Sequence, residues 1–441
     1  MPKITEEKVP KPKASNKIPH ALRGFKDILP EDQLYWAYLR RVAADFAGSY
    51  GFGQIDLPLL EDTSLFVRSI GKDTDIVDRE MFTFTDKNEG SVTLRPEFTA
   101  AVARAYISHG MFNKPQPVKL FQVGPVFRRE RPQSGRLRQF NQIGFEAIGD
   151  SSPVIDAQLI SIVHSFFQKI GLSGVRIQVN SIGTPKVRKI YEQELVTYFR
   201  SKRKLLSEEA KQKLKKNPLR LLDSKDELLE ALRADAPQII DWLDDESKAH
   251  FMKVIEYLDG LDIPYILNPY LVRGLDYYTH TVFEVWSGDE SAGAQSALGG
   301  GGRYDGLIEL LGGRPTPAAG FAIGVERIIS ELKKLEVKIP TTVGPKVFLA
   351  QIGDQAKIKA MQLFDKLRAE KIKVAESFTK DSLKNQLELA NRVGARYVLI
   401  IGQKEVVDGT ILIRDMESGV QEVVDLNKTI SEIKKKLANG K

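Results

Sequence analysis

Apolar positions in this chain follow a helical rhythm in some stretches and a strand rhythm in others. From Glu31 to Tyr50, the residues Tyr35, Leu39, Val42, Phe46 and Tyr50 recur at steps of four, three, four and four. That spacing predicts an amphipathic helix, closed by Gly51. Short apolar segments and turns follow as far as Gly149. Within them, Val118–Gly149 holds two strand-like runs around the polar turn Arg131–Arg136 (RPQSGR), which predicts a long β-hairpin. Between about Pro185 and Gly260 the pattern becomes helical and charge-rich, as an inserted segment would. Strand-like and glycine-rich segments return from Tyr265 to Gly320, before an apolar helix over Val325–Leu335. Residues 336–345 (EVKIPTTVGP) read as a linker. Beyond them, Val347–Ala350, Ile372–Ala375 and Tyr397–Ile401 alternate with helical runs to Ala369 and over Ser382–Arg392. That order predicts a small parallel-sheet lobe.

Composition narrows the function classes. The 441 residues suggest roughly three domains at about 150 residues each. Cysteine is absent, which excludes disulfides, thiolate nucleophiles and cysteine-ligated metal centres. The five histidines (His20, His109, His164, His250 and His280) have no metal-ligand spacing, so no protein metal site is expected. No apolar run approaches the ~20 residues that span a bilayer, and residues 1–17 lack an apolar signal core. A cytoplasmic protein without a membrane partner is the expectation. The net charge of +7 misleads: residues 1–19 carry +3 and residues 428–441 carry +4, so the rest is neutral. A nucleic-acid partner therefore has to be argued from a local cluster.

One such cluster sits in the hairpin. Arg128, Arg129, Arg131, Arg136 and Arg138 face a single acid, Glu130, within eleven residues. The planar guanidinium fork suits phosphate. In the returning strand Phe140, Gln142, Gly144 and Glu146 share one face by the period of two. A ring, a carboxamide, a gap and an acid beside arginines suit a small cationic ligand next to a polyphosphate. By themselves these residues equally suit a solvated hairpin with a glycine bulge. In TLRPEFTA (93–100), Glu97 and Thr99 can accept hydrogen bonds from an ammonium group, or simply cap a helix. In LVRGLDYYTHTVFEV (271–285), a loop presents Arg273, Asp276, Tyr277 and Tyr278 ahead of a strand. The run Gly299–Gly302 does not have phosphate-loop spacing; it permits close approach of a ligand or another strand. Arg327 lies in the first turn of a helix, where a cation opposes the dipole at a cost of tenths of a kcal/mol to about 1, which suits either a use outside the helix, such as a nucleotide, or an ordinary exposed arginine.

In this order, the segments resemble the class II aminoacyl-tRNA synthetases, and within them the histidyl-tRNA synthetase family, from about Leu22 to Leu437. GFGQIDLPLLED resembles the first motif, which forms a dimer interface; FRRERPQSGRLRQF resembles the second and GFAIGVERI the third. RGLDYYTHTVFE and GGGRYDGL resemble the two peptides particular to the histidine enzymes. The resemblance implies an α/β fold in the broad sense, with an α+β catalytic core. That core would be an antiparallel sheet flanked by helices, carrying a helical insertion and a C-terminal α/β anticodon-binding domain. The Lys- and Pro-rich residues 1–19 read by composition as a basic disordered tail; the bounds expected for the rest are core (20–184 and 263–335), insertion (185–262), linker (336–345) and anticodon-binding domain (346–441).

The implied activity is ATP-dependent attachment of L-histidine to tRNA(His) through histidyl-adenylate, with Mg²⁺ on the phosphates and a homodimer as the working form. Arg128 and Arg273 would flank the α-phosphate as catalytic residues, Arg273 also lying near the substrate carboxylate. Arg327 would stack on adenine opposite Phe140, and Glu130 and Arg136 would meet the outer phosphates and base. Glu97, Thr99 and Gln142 would hold the ammonium group, Glu146 and Tyr278 the imidazole, with Tyr277 beside them. Arg131 and Gln133 would lie near the tRNA acceptor end. The alternative that the resemblance leaves is a non-catalytic paralog serving as regulatory subunit of ATP phosphoribosyltransferase. The presence of Arg128, Arg273, Arg327 and the C-terminal lobe weighs against it.

Overall fold

The computed structural model describes residues 18–72, 74–87, 90–130, 136–222, 227–288, 297–340 and 344–439. The anticipated N-terminal tail, up to residue 17, lies outside them. The chain forms two compact units, Met1–Ile339 and Pro340–Lys441.

The first unit is built on an eight-stranded sheet. In chain order its strands and their neighbours are β1 (Gly53–Gln54), β2 (Leu60–Asp62), β3 (Phe82–Asp86), β4 (Gly90–Leu94), β5 (Val118–Phe127), β6 (Gln139–Ile148), β7 (Arg176–Ser181), β8 (Ile266–Leu267), β9 (Thr279–Trp286), β10 (Ala297–Arg303) and β11 (Ala318–Gly324). The sheet order is β1-β5-β6-β11-β10-β9-β7-β8, while β2, β4 and β3 form a separate three-stranded sheet. Pairing is antiparallel throughout the middle of the large sheet. The hairpin read from the sequence is present: β5 and β6 pair over ten residues, from Val118↔Ile148 to Phe127↔Gln139. The glycine run is itself a strand, β10, hydrogen-bonded on both sides, rather than a loop.

Helices α1 (Gln33–Ser49), α2 (Thr63–Ile70), α3 (Thr99–Ser108) and α4 (Pro153–Lys169) come next in this unit. The inserted segment supplies α5 (Pro185–Ser201), α6 (Glu208–Lys216), α7 (Glu227–Ala234) and α8 (Asp245–Gly260); α9 (Leu307–Leu310) and α10 (Val325–Lys334) close it. Residues of α1, α4, α8 and α10 share one hydrophobic core with the back face of the sheet, so α8 packs there although the charge-rich pattern runs through it. That back face carries a row of rings. Cross-strand partners Phe121, Phe145 and Phe321 lie side by side, and Phe283 follows across Gly301. The Phe145 and Phe321 rings stack with centroids 5.0 Å apart, an arrangement that adds to their area burial. Among the described residues no helix is long and apolar enough to cross a membrane.

A buried ion pair ties the sheet to α4. Arg303, fully buried, reaches Asp156 at 2.9 Å, and His250 and Thr281 also contact that carboxylate, at 2.5 and 3.0 Å. Removing one partner of such a pair leaves an uncompensated charge in a low-dielectric interior. Arg303→Met is expected to cost about 3–5 kcal/mol, measured by denaturant unfolding; a loss below 1 kcal/mol would contradict this.

The second unit has β12 (Val347–Gln351), β13 (Val374–Glu376), β14 (Tyr397–Ile401), β15 (Thr410–Asp415) and β16 (Gln421–Asp425), with α11 (Asp354–Ala369), α12 (Leu383–Arg392), α13 (Gln403–Asp408) and α14 (Thr429–Asn439). Its order is β13-β12-β14-β15-β16. The first three strands are parallel, as the alternating pattern anticipated. The lobe departs from a purely parallel sheet, because β15 and β16 add an antiparallel hairpin.

Candidate active site

The opposite face of the large sheet, alternate to the phenylalanine row, is nearly bare. Its central row runs Gln122–Gly144–Ala322–Gly300–Glu284 across five strands, by direct pairing. On one side lies the row Gly124–Gln142–Gly324, and on the other Leu120–Glu146–Gly320–Gly302–Val282. Because successive residues of a strand point to opposite faces, small residues here leave a trough above a floor stiffened by aromatic rings below. A cleft of about 250 Å³ stands over it.

Two glycines are required by what lies on them. A Cβ at Gly300 would stand 2.8 Å from the Arg273 Nη1 and 2.5 Å from the Phe283 carbonyl, so the Arg273 side chain rests on bare backbone. At Gly320 a Cβ would collide with Glu146 Oε2. The glycine run therefore serves side chains reaching in from neighbouring segments.

The sequence-derived residues gather here. Glu97, Thr99, Arg128, Glu130, Arg136, Phe140, Gln142, Arg273, Tyr277, Tyr278 and Arg327 all line the cleft. Glu146 lies beneath it, 1% exposed. Arg131 and Gln133 fall outside the described residues.

The polar end is organised by two buried carboxyls. Glu97 accepts from the backbone N–H groups of Thr99 and Ala100 at 2.6 and 2.9 Å, so it caps α3 as well as lining the cleft. Thr99 does not cap; its Oγ1 donates to Glu146 Oε1 at 2.7 Å. The Tyr304 hydroxyl donates to the other Glu146 oxygen. Burial pushes Glu146 up to about 8, against the pull of these two hydroxyls. Burial likewise raises Glu97, against its backbone hydrogen bonds.

The basic end is arranged differently. Arg273 pairs with Glu284 and lies 5.5 Å from the Tyr278 ring centre. Burial, the largest single influence, pulls its guanidinium down, but Glu284 together with Tyr278 and Tyr277 holds it above its ordinary value. Arg128 donates through Nε to the Pro96 carbonyl at 3.0 Å and sits 5.6 Å from the centre of the Phe140 ring. Arg136 meets Glu130 at 3.2 Å. Arg327 donates to the Ala297 carbonyl at 2.5 Å; burial first, and then the repulsion of Arg136, depress its pKa. Arginines that repel one another in a partly buried cleft call for an anion.

Sequence reasoning gave no role to four residues that the fold brings in. Tyr304 grips Glu146, Glu284 pairs with Arg273, and Glu326 accepts from the Asn141 backbone N–H at 2.9 Å and holds β6 beside Phe140. Gln122 stands at the end of the central row. Tyr304 and Glu326 meet partners 158 and 185 residues away, and Gln122 and Glu284 owe their places to cross-strand register, which no local pattern reveals. Among the described lining residues there is no serine, histidine or lysine, and no three His, Cys, Asp or Glu side chains cluster as metal ligands. The arrangement suits holding a polar amine beside a polyphosphate more than attacking either.

Comparison with known proteins agrees in extent and order. The family model described as histidyl-tRNA synthetase matches residues 24–328, and that of the anticodon binding domain matches 346–436. The histidine–tRNA ligase of Pelotomaculum thermopropionicum is 43% identical, over 95% of this chain and 98% of its own. That of Dehalococcoides mccartyi is 44% identical, over 94% and 99%. The crystal structure of apo histidyl-tRNA synthetase from S. aureus superposes with a TM-score of 0.79 at 36% identity, over 94% of this chain and 99% of that one.

Proposed function

The chain belongs to the histidyl-tRNA synthetase family, and from that premise we propose that it joins L-histidine to tRNA(His) at the expense of ATP, by way of histidyl-adenylate. The observation that carries this reading is one bare trough with a carboxyl-lined polar end and an arginine-lined end.

The histidine carboxylate oxygen attacks the α-phosphorus, the bond from that phosphorus to the bridging oxygen breaks, and pyrophosphate leaves with its electron pair. A terminal ribose hydroxyl of the tRNA then attacks the activated carbonyl, and AMP departs. No protein nucleophile enters either step. Arg128 and Arg273 flank the α-phosphate from the two walls and stabilise the charge spread over its oxygens. Arg327 and Phe140 hold the adenine, Glu130 and Arg136 the outer phosphates and base end. Glu97, Thr99 and Gln142 receive the ammonium group, and Glu146 and Tyr278 the imidazole, with Tyr277 beside them. Mg²⁺ on the phosphates would offset charge on the departing pyrophosphate, and Glu130, whose Oε2 is held 3.2 Å from Arg136, is the carboxylate on that side of the cleft.

The second unit would read the anticodon, and the helical stretch 185–262 would hold the acceptor arm, joined to core segments 20–184 and 263–335. A homodimer is inferred through the segment around Leu59 and Leu60, both exposed although apolar. The regulatory-subunit reading gains no support from the intact set of arginines.

Amino-acid-dependent ATP–pyrophosphate exchange over all twenty amino acids tests the reading. Exchange with histidine alone is expected. Phenylalanine should be rejected by about 10⁴–10⁵-fold, because an apolar ring leaves the polar end unpaired. Exchange with another amino acid would overturn the pocket assignment, and histidine binding without exchange would favour the regulatory paralog.

A further inference from the structure

Gln122 is an anomaly of the site face. It is 3% exposed, and neither its Nε2 nor its Oε1 has a hydrogen-bond partner among the described residues. A buried carboxamide left unpaired costs free energy at both atoms, so such a group marks either a mistake of folding or a missing partner.

Its place in the sheet points to the partner. Gln122 is the direct cross-strand neighbour of Gly144, and a Cβ at 144 would stand 3.1 Å from Nε2 and 3.4 Å from Cγ. The carboxamide therefore lies flat over the Gly144 backbone, reaching inward along the central row. From the other end of that row, Arg273 reaches in over Gly300. Between them the uncovered floor is Ala322 alone, one strand and hence about 5 Å wide. Glu146 leans over Gly320 on one flank, and Gln142, whose Oε1 is also unpartnered, stands on the other. Four polar groups thus wall a gap of ring size, and three of the four (Gln122, Gln142 and, at Nε, Arg273) carry unpaired atoms.

We infer that Gln122 is a further specificity-determining residue, whose carboxamide closes the pocket at the β5 end and is completed by the edge of the substrate imidazole. This rests on the proposed function and names a residue that the synthetase motifs do not include. A carboxamide both donates and accepts, so it accommodates the mixed donor and acceptor edge of a neutral imidazole and penalises an apolar ring.

Gln122→Met keeps the length and removes the polarity. In pyrophosphate exchange it is expected to raise the KM for histidine by about 10-fold or more, leaving the KM for ATP and kcat within about threefold. The ligand-free melting temperature should hold or rise, since an unpaired polar group is lost, while the rise induced by histidine shrinks. Gln122→Asn, which keeps the carboxamide, should recover part of the affinity. Wild-type exchange with histidine is the control. If it is absent, the functional reading fails. If it is present and Gln122→Met keeps the wild-type histidine KM, the Gln122 assignment fails alone. A lowered ligand-free melting temperature with unchanged KM would show a structural role and overturn it as well.

Discussion

Alanine in place of Arg273 will slow histidyl-adenylate formation by about 10²–10³-fold, the cost of removing one preorganised charge donor from a transition state. The guanidinium is buried, laid across Gly300 and aligned by Glu284. It therefore pays little reorganisation when negative charge develops at the α-phosphate. The same burial creates a second effect. Without Arg273, Glu284 keeps a carboxylate that no longer has its counter-ion, so the variant should also be less stable. Pairing Arg273→Ala with Glu284→Ala separates the two, for the double variant should regain stability and not rate. Single-turnover quench-flow measurement of adenylate decides it: near-normal activation in Arg273→Ala would remove the residue from the catalytic step.

Arg273 also shows where sequence reading stops. A lone arginine in LVRGLDYY has no local signature, and its partner Glu284 sits on β9, eleven residues on. What lets the pair lie on the sheet at the cleft is Gly300, brought under it by the β9–β10 register. The face of Phe140, Gln142, Gly144 and Glu146 was legible because a hairpin fixes its own register through the turn and a period of two. The four-glycine run was not legible as a strand, since glycine lowers strand propensity; here flanking strands and the side chains resting on it override propensity. Glu97 was open between cap and ligand, and the structure gives it the capping contacts and a place on the cleft wall together. In the second unit, the pattern carried as far as Ile401 and missed the β15–β16 hairpin, whose outer strand is mostly exposed and reads as polar.

Glu146→Gln should separate substrate recognition from stability, because the carboxyl serves the two in opposite senses. In the free protein its pKa is raised from an ordinary 4.5 to about 8 by burial. The unfolded chain therefore gives up this proton at lower pH than the folded one. Its contribution to stability is complete below about 4.5 and is lost progressively as pH rises through about 8. The ligand-free wild type should accordingly lose melting temperature between pH 5 and 8. A glutamine cannot titrate, so the slope should become shallower in the variant, and Glu97, raised in the same direction, supplies the part that remains. Recognition moves the other way. The amide retains one acceptor for Thr99 and Tyr304 but cannot offer charge to the imidazole, and the KM for histidine should rise about 100-fold with that for ATP nearly unchanged. Melting curves from pH 5 to 8.5, run beside exchange kinetics at one pH, test both halves. Parallel curves for variant and wild type would remove the buried titration, and equal rises in the two KM values would remove Glu146 from the ring pocket.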